Sequence, residues 1–214
     1  YGLLPLLDRW LLASIVDAYR NALFPPHGTI PLCYIGISPT TLADAEFVAF
    51  VLQQLARVDH PLGLLCFQLS ELGDMLSAVQ RNMESLRQAG VQFALEGFGS
   101  GAVALHHLQS LPAQYVRIDG VVVRGLAHDV RDRTVATAIS ELSHANGMRV
   151  IANDVDNLEV LEILRRLHVD YAQGPALMAP QPLHHVDEAL TLSLALPMHS
   201  MYELPLQPPG MLIP

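Results

Sequence analysis

Polar side chains close a series of short apolar runs along this chain, and their types set the chemistry available to it. Gly36-Ile37-Ser38 ends the first run, Gln68-Leu69-Ser70-Glu71 the second, and Glu96-Gly97-Phe98-Gly99-Ser100-Gly101 the third. Arg117-Ile118-Asp119, Asn153-Asp154-Val155-Asp156 and Gln173-Gly174 close the next three. Arg117 is the cation of this set, and a guanidinium makes forked, charge-assisted hydrogen bonds to phosphate or carboxylate oxygens. Glu96 is a carboxylate able to ligate a hard cation or to pair with that arginine. Gln173 can orient a base or a phosphate, while Asp119 and Asp156 are expected to hold their loops through local hydrogen bonds.

The elements that must position these residues follow from hydrophobic period. Leu4, Leu7, Leu11, Ile15 and Ala18 recur at helical spacing and predict an amphipathic helix ending near Arg20. Leu32 to Ile37 reads as a strand between prolines; Phe47 to Leu55 restores helical period, and Leu62 to Leu69 is again strand-like. A helix over Leu76 to Leu86 closes at Gly90, followed by strand Val91–Leu95, helix Val103–Leu111 and strand Tyr115–Ile118. A helix through Val135, Ile139 and Leu142 closes at Gly147; strand Arg149–Ala152, helix Leu158–Leu167 and strand Val169–Ala172 complete the series. Strands alternating with helices make parallel βαβ units, so the fold class is α/β. Either an open doubly wound sheet or a (β/α)8 barrel accommodates the pattern. In both, ligands bind at the C-terminal ends of the strands, where the polar clusters stand. No GxGxxG turn follows the first strand, which weighs against a dinucleotide fold of the Rossmann type.

Composition removes several function classes. Against 21 acidic residues stand 12 basic ones, for a net charge of −9, and the basic residues are scattered rather than striped. Duplex nucleic-acid binding needs a basic stripe and is not expected. Every basic residue is arginine, which excludes a Walker lysine, a Schiff-base lysine and a pyridoxal-phosphate lysine. Cys33 and Cys66 lie in separate apolar runs without a CxxC pair, so buried free thiols are expected, with no zinc site and no disulfide framework. The histidines, His106-His107 and His184-His185 among them, lack ligand spacing and are expected at surfaces or helix ends. No segment reaches the ~18 uninterrupted apolar residues of a membrane span. The chain starts at Tyr1 rather than Met and is expected to be part of a longer protein. Residues 1–195 read as one domain, and 196–214 as a Pro-rich tail.

The strand ends also carry a resemblance. LEGFGSG (Leu95 to Gly101) resembles the Asp-Asp-Phe-Gly-Thr-Gly loop of EAL domains, the cyclic di-GMP phosphodiesterase family. YIGIS resembles that family's Val-Asn-Leu-Ser strand, FQLSE its Glu-Ile-Thr-Glu strand and VRIDG its Lys-Ile-Asp strand. IANDVD resembles Ala-Glu-Gly-Val-Glu, and YAQGPALMAPQPL the closing Tyr-Ala-Gln-Gly segment with its Arg-Pro-Gln-Pro-Leu end. The resemblance implies a TIM-barrel-like (β/α)8 EAL fold whose first strands, with the Glu-Ala-Leu motif, lie upstream of Tyr1.

The departures from that pattern direct the functional expectation. By the resemblance, active members hold two divalent metals with an Asn, Glu and Asp residues from successive strands, beside a Lys. Here those positions are Gly36, Gln68, Glu96 and Gly97, Arg117 and Asn153, and Gln173 stands unchanged. Two Mg²⁺ or Mn²⁺ ions want several carboxylates, and only Glu96 matches. The expectation is therefore a catalytically inactive domain with no metal and no required cofactor. It would bind cyclic di-GMP as a receptor through Ser38, Glu96, Phe98, Gly99, Arg117, Asn153, Asp156 and Gln173 and relay the signal to a regulatory protein partner. The alternatives are a protein-interaction scaffold without nucleotide and residual phosphodiesterase activity. The resemblance further implies a bacterial cytoplasmic setting, an upstream GGDEF or sensory domain, no membrane insertion, and a homodimer coupled to the Phe98 loop. Ala179 stands where the family often has Arg.

Overall fold

A computed structural model describes residues 2–20, 32–58, 65–70, 75–100, 107–178 and 202–203. The apolar runs form strands β1 (Cys33–Gly36), β2 (Leu65–Leu69), β3 (Gln92–Phe98), β4 (Tyr115–Ile118), β5 (Arg149–Ala152) and β6 (Tyr171–Ala172), each paired in parallel with the next. A short β7 (Tyr202–Glu203), inside the stretch expected as a tail, pairs antiparallel with β6 and completes the order β1-β2-β3-β4-β5-β6-β7. The result is an α/β half-barrel.

The helical-period segments become α1 (Leu4–Arg20), α3 (Ala45–Leu55), α4 (Leu76–Gln88), α7 (Val130–Ala145) and α8 (Leu158–Arg166). Three shorter helices, α2 (Pro39–Leu42), α5 (His107–Ser110) and α6 (Gly120–Gly125), sit in the connections. The segment 101–106, expected to begin the helix of α5, and positions Glu71, Ala179, His184 and His185 lie outside the described residues.

Alternation along each strand divides the sheet into two faces. Ile35, Phe67, Leu69, Phe93, Leu95, Val116, Ile118, Val150 and Ala152 point to the helices and join Leu12, Phe47, Val51, Met83 and Leu164 in the main core. Phe47, Phe67 and Phe93 follow one another through it with ring centroids 6.0 to 6.1 Å apart.

Five of the helices begin where polar caps accept free N–H groups. Ser38 caps α2 ahead of Pro39 at its first turn, Asp44 caps α3, Asp119 caps α6, Asp129 caps α7 and Asn157 caps α8. Gly147 follows α7 with φ 73°, the left-handed stop its position predicts. α6 was not legible from periodicity: Val121, Val122 and Val123 are weak helix formers between two glycines. It forms because Asp119 accepts from Val121 N–H at 2.8 Å and because Val122 and Val123 are buried.

Asp129→Ala removes the 2.7 Å acceptor of Arg131 N–H at the start of α7. It is expected to cost about 1 kcal/mol and to lower the melting temperature by about 2–4 °C. A thermal melt that superimposes on the parent would contradict this assignment of the cap. Among the described residues, no helix is long and apolar enough to cross a membrane.

Candidate functional site at the strand ends

The sheet face turned away from the helices carries a tyrosine layer. Tyr34 meets Tyr115 edge-on at 5.8 Å, and Tyr115 meets Tyr171 at 6.2 Å. Ile151 packs with them. Two residues further along each strand, on the same face, come Gly36, Arg117, Asn153 and Gln173. Tyrosines two positions before the polar strand ends are the signal by which this floor can be read from sequence.

Arg117 is the centre of the arrangement. Its residue is 6% exposed, and its guanidinium lies 6.0 Å from the centroid of the Tyr34 ring. Nε donates to Asn153 Oδ1 at 3.0 Å, and Nη2 donates to the same oxygen and to Gln173 Oε1 at 2.9 Å. Glu96 Oε1 stands 3.6 Å from Nε, a charge pair without a hydrogen bond. Among the described residues the hydrogen bonds of Arg117 thus run from Nε and Nη2. Amides bracket the cation, Asn153 where the family resemblance puts a carboxylate and Gln173 where it puts the same glutamine, and among the described residues no carboxylate meets the guanidinium at hydrogen-bond distance.

Burial draws the Arg117 guanidinium below the ordinary arginine range, and the charge of Glu96 opposes that effect. Beneath it, burial pushes up the thiol of Cys66 and the phenol of Tyr34. Cys33 is pushed up to about 11 by the same cause. Cys33 and Cys66 both stay protonated near neutral pH, which makes them poor nucleophiles.

Glu96 reaches Arg117 because β3 does not stop at Leu95. The strand continues to Phe98 through a register shift between Leu95 and Phe98, and such an irregularity re-aims the side chains within it. Gly97 and Gly99 adopt φ 79° and 100° around Phe98. Phe98 itself is 2% exposed and belongs to the main core, so its ring packs under the helices rather than standing open to a ligand. Ser38 is likewise committed elsewhere: its hydroxyl meets Asp8 Oδ2 at 3.1 Å and Thr41 Oγ1 at 2.6 Å while capping α2. Asp156 accepts from Asn157 Nδ2 at 2.8 Å, and Asp119 is spent on its cap.

Gly36 and Gln68 are register partners on neighbouring strands at the same end of the sheet. The structure therefore brings together Glu96, Arg117, Asn153 and Gln173, while Ser38, Phe98 and Asp156 are held by other partners. Sequence reasoning passed over the ion pair Arg124–Asp154, 2.7 Å long. No spacing signal links Arg124 to the strand ends.

Among the described residues, the strand ends offer few carboxylates to a pair of divalent cations. Glu96 faces a guanidinium, and the other matched positions supply two glycines and three amides. Among the described residues no group of three or more His, Cys, Asp or Glu side chains is placed to hold a metal ion.

A protein-family model described as EAL domain matches residues 1–180. The cyclic di-GMP phosphodiesterase PdeB of Shewanella oneidensis is 34% identical over 167 residues, covering 75% of this chain and 19% of the relative. The cyclic di-GMP phosphodiesterase PdeF of Escherichia coli is 29% identical over 187 residues, covering 86% and 24%. The chain thus spans about a fifth to a quarter of these relatives' lengths.

Among solved structures, the EAL domain of Mycobacterium smegmatis DcpA superposes with a TM-score of 0.83 at 25% identity, over 89% of this chain and 86% of that one. PaMucR phosphodiesterase in complex with c-di-GMP superposes with a TM-score of 0.78 at 27% identity, over 86% and 75%. These findings correct the expectation of an inactive domain. Relatives between 26% and 34% identical are named cyclic di-GMP phosphodiesterases, and the substitutions at five strand ends do not by themselves establish inactivity.

Proposed function

Because the chain belongs to the EAL domain family, we propose that its strand-end pocket binds cyclic di-GMP, with Arg117 taking a phosphate. The observation that carries this reading is the buried guanidinium bracketed by Asn153 and Gln173, with Glu96, the one carboxylate ion-paired to it among the described residues, at 3.6 Å. A phosphate oxygen gains a charge-assisted hydrogen bond there from Nη1. Amides at Gln68 and Asn153 lower the negative charge that a phosphate would meet, so binding proceeds without a metal ion. The bound dinucleotide is then a signal that a protein partner, or a further domain of a longer chain, receives. A second reading, hydrolysis of the same dinucleotide, is favoured by the names of the relatives.

Calorimetric titration of cyclic di-GMP into the 214-residue chain, once in EDTA and once with Mg²⁺, tests both. Micromolar or tighter binding in EDTA is expected. Opened dinucleotide recovered after the Mg²⁺ run would establish the second reading. No heat in either buffer, from folded protein, would overturn the first and favour a scaffold that binds no nucleotide.

A further inference from the structure

A second guanidinium stands beside the turn that carries Asn153. Nη1 of Arg124, on α6, donates to Asp154 Oδ2 at 2.7 Å, and both side chains are exposed. Asp154 lies in the turn after β5, between Asn153, which holds Arg117, and Val155, whose N–H donates to the carbonyl of Gln173 at 3.0 Å. Its backbone is left-handed, with φ 56°, a conformation that aspartate tolerates better than most residues but that glycine adopts freely. The carboxylate fills a space that Gly120 leaves open: a Cβ on Gly120 would lie 2.1 Å from Oδ2.

Stability gives little reason for this arrangement, since an exposed ion pair contributes little to folding. What the geometry does provide is an anion seated against a glycine, held by one arginine, one residue away from the amide that holds a second. The charge of Asp154 is also felt at Arg117, where it favours the protonated guanidinium.

We propose that the Asp154 carboxylate is an internal stand-in for a phosphate group. It occupies the place against Gly120 and Arg124 that the second phosphate of a bound dinucleotide takes, so Asp154 must release Arg124 for the ligand to seat fully. Arg124 then becomes a phosphate contact, and Asp154 sets the affinity by competing for it. The inference rests on the reading of the Arg117 pocket as a phosphate site.

Asp154→Asn tests it, because asparagine keeps the tolerance for left-handed backbone and removes the charge. Affinities of this variant for cyclic di-GMP and for inorganic pyrophosphate are measured by calorimetry, with thermal melts confirming that it is folded. The variant is expected to bind more tightly by about fivefold, the factor an exposed ion pair of this kind can hold. Arg124→Ala is expected to weaken binding, and adding Asp154→Asn to it should give no gain.

A gain for either probe that vanishes in the Arg124→Ala background supports the competition. If only pyrophosphate shows it, and cyclic di-GMP binds no variant, the anion site stands and the nucleotide reading falls. If Asp154→Asn binds neither probe more tightly, or gains equally without Arg124, the proposal is wrong.

Discussion

Arg117→Ala is expected to weaken cyclic di-GMP binding by about 10- to 100-fold, the factor that corresponds to the ~1.5–3 kcal/mol of a charge-assisted hydrogen bond. Arg117→Lys should recover only part of that loss. A lysine at 117 restores the positive charge but not the fork, and Asn153 and Gln173 sit at the angles of Nε and Nη2. The effect on folding should be smaller than the burial suggests. Burial itself disfavours the charged guanidinium, so alanine relieves a desolvation cost even as it orphans two amide oxygens. Gln173 is exposed and regains water at once, while Asn153 is half-buried.

Calorimetry paired with a thermal melt separates the two contributions. A large drop in affinity with a melting temperature lowered by only a few degrees is the expected pattern. Unchanged affinity in a folded Arg117→Ala variant would place the ligand elsewhere.

The alternation of helices and strands was legible because parallel strands buried on both faces read as unbroken apolar runs, and because several boundaries carry a cap or a glycine. α6 was not legible, since its formation depends on Asp119 and on burial of Val122 and Val123 rather than on propensity. The end of β3 was misplaced for a related reason. Glu96-Gly97 reads as a polar stop, but pairing with β4 carries the backbone on to Phe98 through an irregular register.

The clustering of Glu96, Arg117, Asn153 and Gln173 was legible because successive parallel strands bring their C-terminal ends side by side, a rule that needs no coordinates. Ser38 and Phe98 met the same rule and serve other ends, since what holds them, Asp8 and the main core, comes from distant sequence. The pair Arg124–Asp154 was hidden for the converse reason: a contact 30 residues apart has no local pattern. The expectation of inactivity failed differently. It weighed metal ligands one position at a time, and kinship across most of the chain weighs on the other side.

Gly174→Ala is expected to be the most damaging single methyl addition near the site. A Cβ on Gly174 would lie 2.3 Å from both the backbone nitrogen and the backbone oxygen of Val155, closer than real contacts allow. Neither atom is the end of a flexible side chain. Val155 is fully buried; its N–H donates to the Gln173 carbonyl at 3.0 Å, and its own carbonyl accepts from Ala176 N–H at 3.0 Å. The added methyl can be accommodated only if the turn 153–155 moves away from the end of β6, which breaks that pairing.

Overpacking of this kind costs about 1–3 kcal/mol, and more where only backbone can yield; the melting temperature should fall by about 4–10 °C. The same movement carries Asn153 away from Gln173 and opens the bracket that aims Arg117, so nucleotide affinity should fall in parallel with stability. Gly36→Ala supplies the control, since nothing lies within 4 Å of a Cβ there, and it should melt with the parent. If Gly174→Ala melts with the parent as well, the turn and β6 are not locked together, and the positioning of Arg117 does not depend on their contact.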